Sequence, residues 1–568
     1  PDCRPRHDRY CAAGRELWRP VLKRDLQRAF HDLDGIEDPI ILEKDKLDDG
    51  VEIFDGNDPS HLERCVKLIR RFAKKKVSAF DYEANCLRPY KEGAKVLAIG
   101  IGTQHKAISF AIDHPEAGWK EHEVEILLEE FRRYLFSPGR KIAHNLTMEL
   151  EWSAFLYGDK AIRAARWEDT MQQSYIIDAR KGTHNLNFVT LECCGIPLKE
   201  YNEVDRARLA IEPVNTVLRY NAMDAKFTHM DFEVLRLKLE ADKLQGVYKT
   251  QVRRVPTLVA AQRIGIPVNQ KRAVKVQRKY DRRLRMVEQK VRRLQPVRSY
   301  RRRFGEFNPV SNKHMEVILR DVLRRKEGDK GNNRYSSDEE VLKNIIAKAD
   351  KPARRFCRLI LELRGLAKLK GTYIDPLVRT EKKTVVYPDG RIHTNFNSTR
   401  TDTGRLSSDD PNMQNFPKRD EEAKAVRRLI VPPPGMLLLA SDYGALEARV
   451  IAMRSRDKFL VKALWEKYDI HLEWAQKVAK MSPRVFENRG SDIKAFRDEI
   501  KNQLVFPAFY GALPPSIARA LETKESKVVK LFDEFWDTFS GVKTMQDEMF
   551  AFYDTHGYVE GLLGRRRQ

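Results

Sequence analysis

The chain has 568 residues, too long for one ordinary domain and enough for three or four units at roughly 150 residues each. Its 106 Lys and Arg against 82 Asp and Glu give a formal net charge of +24, while hydrophobic residues make up 42%. That balance excludes a disordered basic tail and makes a polyanion, nucleic acid first, the leading partner.

Seven cysteines without a CxxC pair or histidines at zinc spacing read as reduced thiols. No apolar run nears the roughly 18 residues that span a bilayer, and the N-terminus has no signal-peptide pattern, so a soluble, intracellular protein is expected.

In chain order, residues 1–75 are basic and irregular apart from helical spacing in HLERCVKLIRRF, and no activity is assigned to them. From Val77 to about Leu239, short apolar runs (VSAFDYE, KVLAIGIG, HKAISFAID) alternate with helical patterns, which predicts a sheet covered by helices. In AFDYEANCL, Asp81 and Glu83 stand two apart at the end of a predicted strand, so both side chains leave one face and can share a divalent ion. AHNLTMELEW adds Asn145 and Glu149, with Glu151 a less favoured substitute. LRYNAMDAKFTHMDF adds Tyr220 and Asp224, one helical turn apart and on one face. Oxygen-only clusters of this kind hold Mg²⁺ or Mn²⁺, and two such ions activate water and stabilise the leaving oxygen of a phosphodiester. A tyrosine hydroxyl can orient the water.

After VPTLVAAQRIGIPVN comes a very basic helical stretch, Lys271 to Arg303, expected to track phosphates along its exposed face. A strand is predicted near Met436–Asp442, where the apolar run Leu437–Ala440 would deliver Asp442 to a strand end. Helices are predicted over Gly444–Ala463, Ile470–Lys480, Asp492–Val505 and Pro515–Phe535. In FRDEIKNQLVFPAFYG, Arg497 and Lys501 lie one turn apart on one face, and Phe506 and Tyr510 offer rings for stacking. Pro507 lacks an N–H, which leaves the carbonyl of residue 503 without its helical donor.

Two resemblances follow from these motifs. The ordered DxE, NxxxE and YxxxD, with DTMQQSYIID between them, resemble the DEDDy 3′→5′ exonuclease family. STRTDTGRLSSDDPNMQNFP, LLLASDYGALEARVIA, DIHLEWAQKVAK and the FPAFYG helix resemble the DNA polymerase I family, family A. Together the resemblances run from Val77 to Arg567.

The implied fold is α/β in a multidomain α+β arrangement, an RNase H-like exonuclease domain followed by a right-hand polymerase. Its expected parts are the exonuclease at 76–245, thumb and connecting region at 246–390, the first part of the palm at 391–460, fingers at 461–540 and a return to the palm at 541–568. The implied activity is template-directed DNA synthesis with proofreading, each active site using two Mg²⁺ or Mn²⁺ ions. Primer-template DNA, deoxynucleoside triphosphates and single-stranded 3′ ends are the implied partners, with accessory replication proteins besides. A phage-type replicase in a bacterial or phage-infected cytoplasm fits the layout.

Carried over residue by residue, Asp442 and the Tyr443 carbonyl bind catalytic metal, and Glu447 blocks the 2′ position of the incoming sugar. His471, Arg497 and Lys501 approach the triphosphate, and Phe506 and Tyr510 stack on the nascent pair. Arg405 reaches the primer end in the minor groove, with Gln414, Gly511 and Asn145 as further DNA contacts. Asp81, Glu83 and Asp224 hold the nuclease metals, with Glu149 and Tyr220 beside them in catalysis.

Four departures from the family pattern stand out. Glu149 replaces an aspartate, and Gly444-Ala445 replaces Ser-Gln. Four residues instead of three separate Lys501 from Phe506, which predicts a π-bulge or kink with Val505 as competitor for the aromatic place. The HDE-type motif with the second palm carboxylate is not reached before Gln568, and the chain starts at Pro1, so a clipped sequence is expected. The alternative is an exonuclease whose polymerase half only binds DNA.

Overall fold

The structure, a computed structural model, describes residues 47–198, 204–323, 337–379, 384–416 and 421–567. The chain forms two compact units that meet in sequence between Leu438 and Leu439. Among the described residues no helix is long and apolar enough to cross a membrane. Cys65, Cys86, Cys193, Cys194 and Cys357 are unbridged; Cys3 and Cys11 lie outside the described residues.

The first unit is built on a six-stranded mixed sheet of β1 (Val51–Phe54), β2 (Val77–Ala84), β3 (Val96–Gly102), β4 (Ala107–Ala111), β5 (Arg140–Ala143) and β6 (Arg166–Asp169). The strand order is β1-β4-β3-β2-β5-β6. β2, β5 and β6 run parallel, whereas β3 is antiparallel to both neighbours. β1 and the helix His61–Ala73 belong to this sheet layer, so the segment left without a role contributes its edge.

The run VLAIGIG of β3 is buried along its whole length because helices cover both sheet faces. Alternation on β2 divides its residues between them. Phe80 and Tyr82 pack on Phe131 of the helix Glu121–Leu135, while Asp81 faces the helix Val214–Ala241 on the opposite side.

That second helix lies unusually close to the sheet, and glycine permits it. A Cβ on Gly100 would stand 2.8 Å from the Asn221 carbonyl oxygen, and one on Gly102 would stand 2.6 Å from the Ala225 carbonyl carbon. Backbone cannot yield as a flexible side chain can.

The remainder of the unit, from Gln245, is mainly helical. The basic stretch forms two helices, Gln270–Arg292 and Gln295–Phe304, separated at Leu294. Ala273, Tyr280, Val287 and Val291 make one buried face against Phe356, Ile360 and Leu363 of the helix Lys351–Leu369. Arg278, Arg282, Arg285, Arg292 and Arg298 stand in solvent, the amphipathic outcome expected when cations and apolar residues alternate at helical spacing. Asn395–Asn397 and Ser407–Asp409 pair as a small hairpin with Arg405 in its connection.

The second unit is helical around Trp474, Phe496, Leu504, Phe509, Phe535 and Phe539. Three predicted elements are corrected here. The strand at Met436–Asp442 does not form: the run is extended and open, with Leu437 and Leu439 93% and 94% exposed. A strand exists through its ladder, and no partner strand adjoins it among the described residues.

The helix predicted over Gly444–Ala463 divides into Leu446–Ser455 and Lys458–Trp465. Arg456 takes a left-handed φ of 51°, and the Asp457 carboxylate caps the second helix by accepting the Leu460 N–H at 2.7 Å. The helix predicted over Pro515–Phe535 likewise divides into Pro514–Ala520 and Glu525–Thr538 around Glu522, with φ 52°. Ile470–Met481 matches its predicted helix. The expected palm segment 391–460 straddles the junction between the two units.

Gly102→Ala should destabilise the first unit by about 1–3 kcal/mol, because the new methyl meets backbone on the facing helix. Denaturant unfolding of the two proteins measures this; an unchanged midpoint would contradict the close approach.

Candidate active sites

The carboxyl ends of the parallel strands β2, β5 and β6 bring the nuclease motifs to one edge of the sheet. Asp81 and Glu83 come from β2, and Asp224 from the helix Val214–Ala241. Their carboxylate oxygens lie within 4.8 Å of one another, and this is the one such cluster among the described residues. An oxygen-only donor set at these spacings fits a divalent cation.

The Asn221 amide donates to Asp81 Oδ2 at 2.8 Å and is itself held by Ser109 Oγ at 2.7 Å. Burial, together with the neighbouring Asp224 charge, pushes the Asp81 carboxyl up to about 8. Burial and the Asp81 charge push Glu83 well above the carboxylate range, and burial raises Asp224 to about 6. The cluster is short of positive charge, the condition that a divalent ion relieves.

Glu149 is 1% exposed and faces the same charges, but its Oε2 accepts the Tyr82 N–H at 3.1 Å. It is outside the three-residue cluster. Glu151 points elsewhere: Oε1 receives Arg88 Nη2 at 2.8 Å, the Tyr90 hydroxyl at 2.9 Å and Gln262 Nε2 at 2.8 Å. Gln262 in turn accepts the Phe396 N–H at 2.7 Å, so Glu151 ties the sheet layer to the hairpin that carries Arg405.

Asn145 takes a left-handed φ of 66° ahead of the helix Leu146–Tyr157. It lines a cavity of about 350 Å³ that also meets Arg88, Gln172 and Asn397. Arg88 Nε and Nη1, Gln172 Oε1 and Asn397 Nδ2 are buried polar atoms with no protein partner, a lining suited to a polar occupant.

Three residues in or beside this site were given no role from the motifs, although Asp169 opens DTMQQSYIID. Asn221 positions Asp81. Asp169 accepts the N–H groups of Asn145, Leu146 and Met171 at 3.0–3.2 Å and so fixes the turn that presents Asn145. Arg206, from the loop ahead of the helix Val214–Ala241, donates to the Tyr220 hydroxyl and lies 3.8 Å from Asp224. Only Asp169 had a local signal, an acidic residue directly before a helix.

The second unit assembles the nucleotide motifs. The helix Ile493–Ile500 runs into a π-helical turn over Lys501–Val505, where the Phe506 N–H donates to the Lys501 carbonyl. That i→i+5 bond absorbs the extra residue. Phe506 comes beneath Lys501 Nζ, 5.4 Å from its ring centre, and lies 5.5 Å from the His471 ring. Phe506 and Tyr510 stack at 6.0 Å and 14°. Val505 turns into the core, which removes it as the competitor.

Arg497 is paired with Asp469 at 2.7 Å, and burial with the charges of Arg497 and Lys501 drives His471 down to about 4. The Tyr510 hydroxyl donates to Glu447 at 2.6 Å. Gly511 follows with φ 86°, a left-handed turn that favours glycine. Asp442 and Tyr443 lie on the open segment, with Tyr443 78% exposed. In the first unit, Arg405 occupies the hairpin connection, and the Gln414 N–H is held by Ser408 Oγ at 3.1 Å.

Comparison with known proteins matches both stretches of the chain. Residues 59–240 match the family described as 3′-5′ exonuclease. DNA polymerase I of Chloroflexus aurantiacus is 28% identical over 512 residues, covering 88% of this chain and 51% of that protein. DNA polymerase I of Geobacillus stearothermophilus is 31% identical over 305 residues, 53% of this chain and 32% of that protein. The chain therefore spans about half, or less, of the length of these curated relatives. A solved structure described as the POL domain of Pol1 from M. smegmatis in complex with DNA primer-template and dNTP superposes with a TM-score of 0.65 at 21% identity, covering 89% of this chain and 80% of that one, which shows the fold. Residues 270–568, more than half of the chain, match DNA polymerase family A, and the chain belongs to that family.

Proposed function

We propose that the protein extends primer 3′ ends on a DNA template and removes nucleotides from single-stranded 3′ ends. The nuclease reading rests on the Asp81, Glu83 and Asp224 cluster, with the polar Asn145 cavity in the same unit. Mg²⁺ or Mn²⁺ held there would activate water and neutralise charge on the phosphate. Tyr220 presents its hydroxyl beside Asp224 to orient the water, and Asn221 keeps Asp81 in place. The cavity, lined from both the sheet layer and the hairpin, gives the unpaired strand a polar bed.

The synthesis reading is supported by the cations and rings gathered on the π-bulged helix. Lys501 and Arg497 bind the triphosphate, and release of Arg497 from Asp469 accompanies its arrival. Phe506 and Tyr510 stack on the new pair, while Glu447, braced by Tyr510, excludes a 2′-hydroxyl. Asp442 and the Tyr443 carbonyl contribute to the metal site. One observation favours the second reading, a nuclease whose polymerase half only binds duplex: Asp442 joins no three-residue metal-ligating group among the described residues. Primer extension by the full-length gene product separates the two.

Replacing both Asp81 and Glu83 with Ala should abolish divalent-ion-dependent hydrolysis of single-stranded 3′ ends and leave DNA binding nearly intact at moderate salt. Undiminished hydrolysis by the purified double variant would contradict the nuclease reading.

In the full-length gene product, Lys501→Ala should slow incorporation by about 10²–10³, as for other cations facing charge that builds on a transferred group. Hydrolysis at the other site should be unchanged. Single-turnover incorporation and 3′-end hydrolysis on one preparation decide; equal loss of both would contradict the assignment.

A further inference from the structure

Among the described residues, Arg206 is the one side chain of opposite sign that the fold brings against the carboxylate cluster. Its loop turns on Asp205, whose carboxylate accepts the Ala207 N–H at 3.0 Å and whose carbonyl accepts the Arg208 N–H at 2.8 Å. The guanidinium carbon lies 5.4 Å from the centre of the Tyr220 ring, Nη2 donates to the Tyr220 hydroxyl, and the same nitrogen is 3.8 Å from Asp224 Oδ2. The side chain is 62% exposed, so it reaches over the rim of the site and is not locked beneath it.

A guanidinium has five N–H donors. Among the described residues only Nη2 is engaged, by Tyr220 and the looser contact with Asp224. A structural cation of the cluster would be buried and bidentate. This one presents an open fork beside the hydroxyl that faces the attacking water, the position from which a phosphate oxygen is reached.

We propose that Arg206 is a catalytic residue of the nuclease site that binds a non-bridging oxygen of the scissile phosphodiester. The proposal rests on the nuclease reading above. In that reaction the water oxygen forms a bond to phosphorus while the bond to the 3′-oxygen of the preceding nucleotide breaks. The water gives up one proton to solvent, and the departing oxygen takes one from solvent. Negative charge shifts onto the non-bridging oxygens meanwhile, and Arg206, which exchanges no proton, stabilises it there. Tyr220 sets the distance between guanidinium and water.

The test uses the whole chain, the variants Arg206→Ala and Arg206→Lys, and two oligonucleotides that differ only at the 3′-terminal linkage, one a phosphodiester and one a neutral methylphosphonate. Equilibrium binding is measured in Ca²⁺ and again in EDTA, and single-turnover hydrolysis of the diester in Mg²⁺. Arg206→Ala should weaken diester binding by roughly tenfold to a hundredfold, the range for a charge-assisted hydrogen bond, and leave methylphosphonate binding unchanged. Hydrolysis should slow by at least as much, and Arg206→Lys should restore part of both. Equal weakening on both oligonucleotides, or unchanged or tighter diester binding, would overturn the proposal and leave Arg206 a counter-ion of the carboxylates. No hydrolysis by the unaltered chain would instead overturn the nuclease reading, and the catalytic role of Arg206 with it.

Discussion

Everything at the Asp81, Glu83 and Asp224 cluster depends on forcing acidic side chains into one small buried volume. Like charges at such separations repel, and burial removes the water that would screen them. The fold meets this with geometry: Gly100 and Gly102 let the helix Val214–Ala241 settle against β3, which brings Asn221 and Asp224 over Asp81. Loosening that approach by a methyl group would spread the carboxylates apart. Arg206 supplies partial neutralisation from the rim, and a divalent ion would supply the rest.

The second unit solves a different problem, that of presenting cations and an aromatic ring on one helix face although the sequence holds one residue too many. The π turn rotates Phe506 under Lys501 and turns Val505 inward. Pro507 makes that turn cheap, since its missing N–H already breaks the α-helical ladder. The helix thereby trades one regular hydrogen bond for alignment of the residues that would meet a nucleotide.

Much of this was legible in the sequence, and the limits are physical. The two-residue alternation of β2 placed Asp81 and Glu83 on one face, and the spacing from Lys501 to Phe506, read with Pro507, foretold the π turn. Both signals are local. Asn221 and Arg206 acquire meaning only when β2 and the helix Val214–Ala241 meet, across about 140 residues for Asn221 and Asp81, and no local pattern marks them. Glu151, two residues from Glu149, is in sequence its less favoured substitute, and helical geometry turns it by about 200°, toward Arg88, Tyr90 and Gln262. The Leu437–Ala440 run carries the apolarity of a strand, but no neighbouring strand pairs with it among the described residues. The helix breaks at Arg456 and Glu522 went unseen because residues other than glycine or asparagine take the left-handed conformation there.

The carboxylate cluster is built to be held together by a divalent cation. Its folded carboxyls, Asp81 at about 8 and Asp224 at about 6, lie above the unfolded aspartate value of 3.8, so the folded state holds more protons than the unfolded one across that interval. Without metal, stability should therefore fall as pH rises from about 4 to about 8, and a bound ion, taking the place of those protons, should restore it. Thermal unfolding at pH 5 and pH 8, with and without Mg²⁺, for the unaltered chain and for Asp81→Asn, measures this directly. Mg²⁺ stabilisation should be larger at pH 8 and largely lost in Asp81→Asn. Stabilisation equal at the two pH values, or unaffected by the substitution, would contradict it.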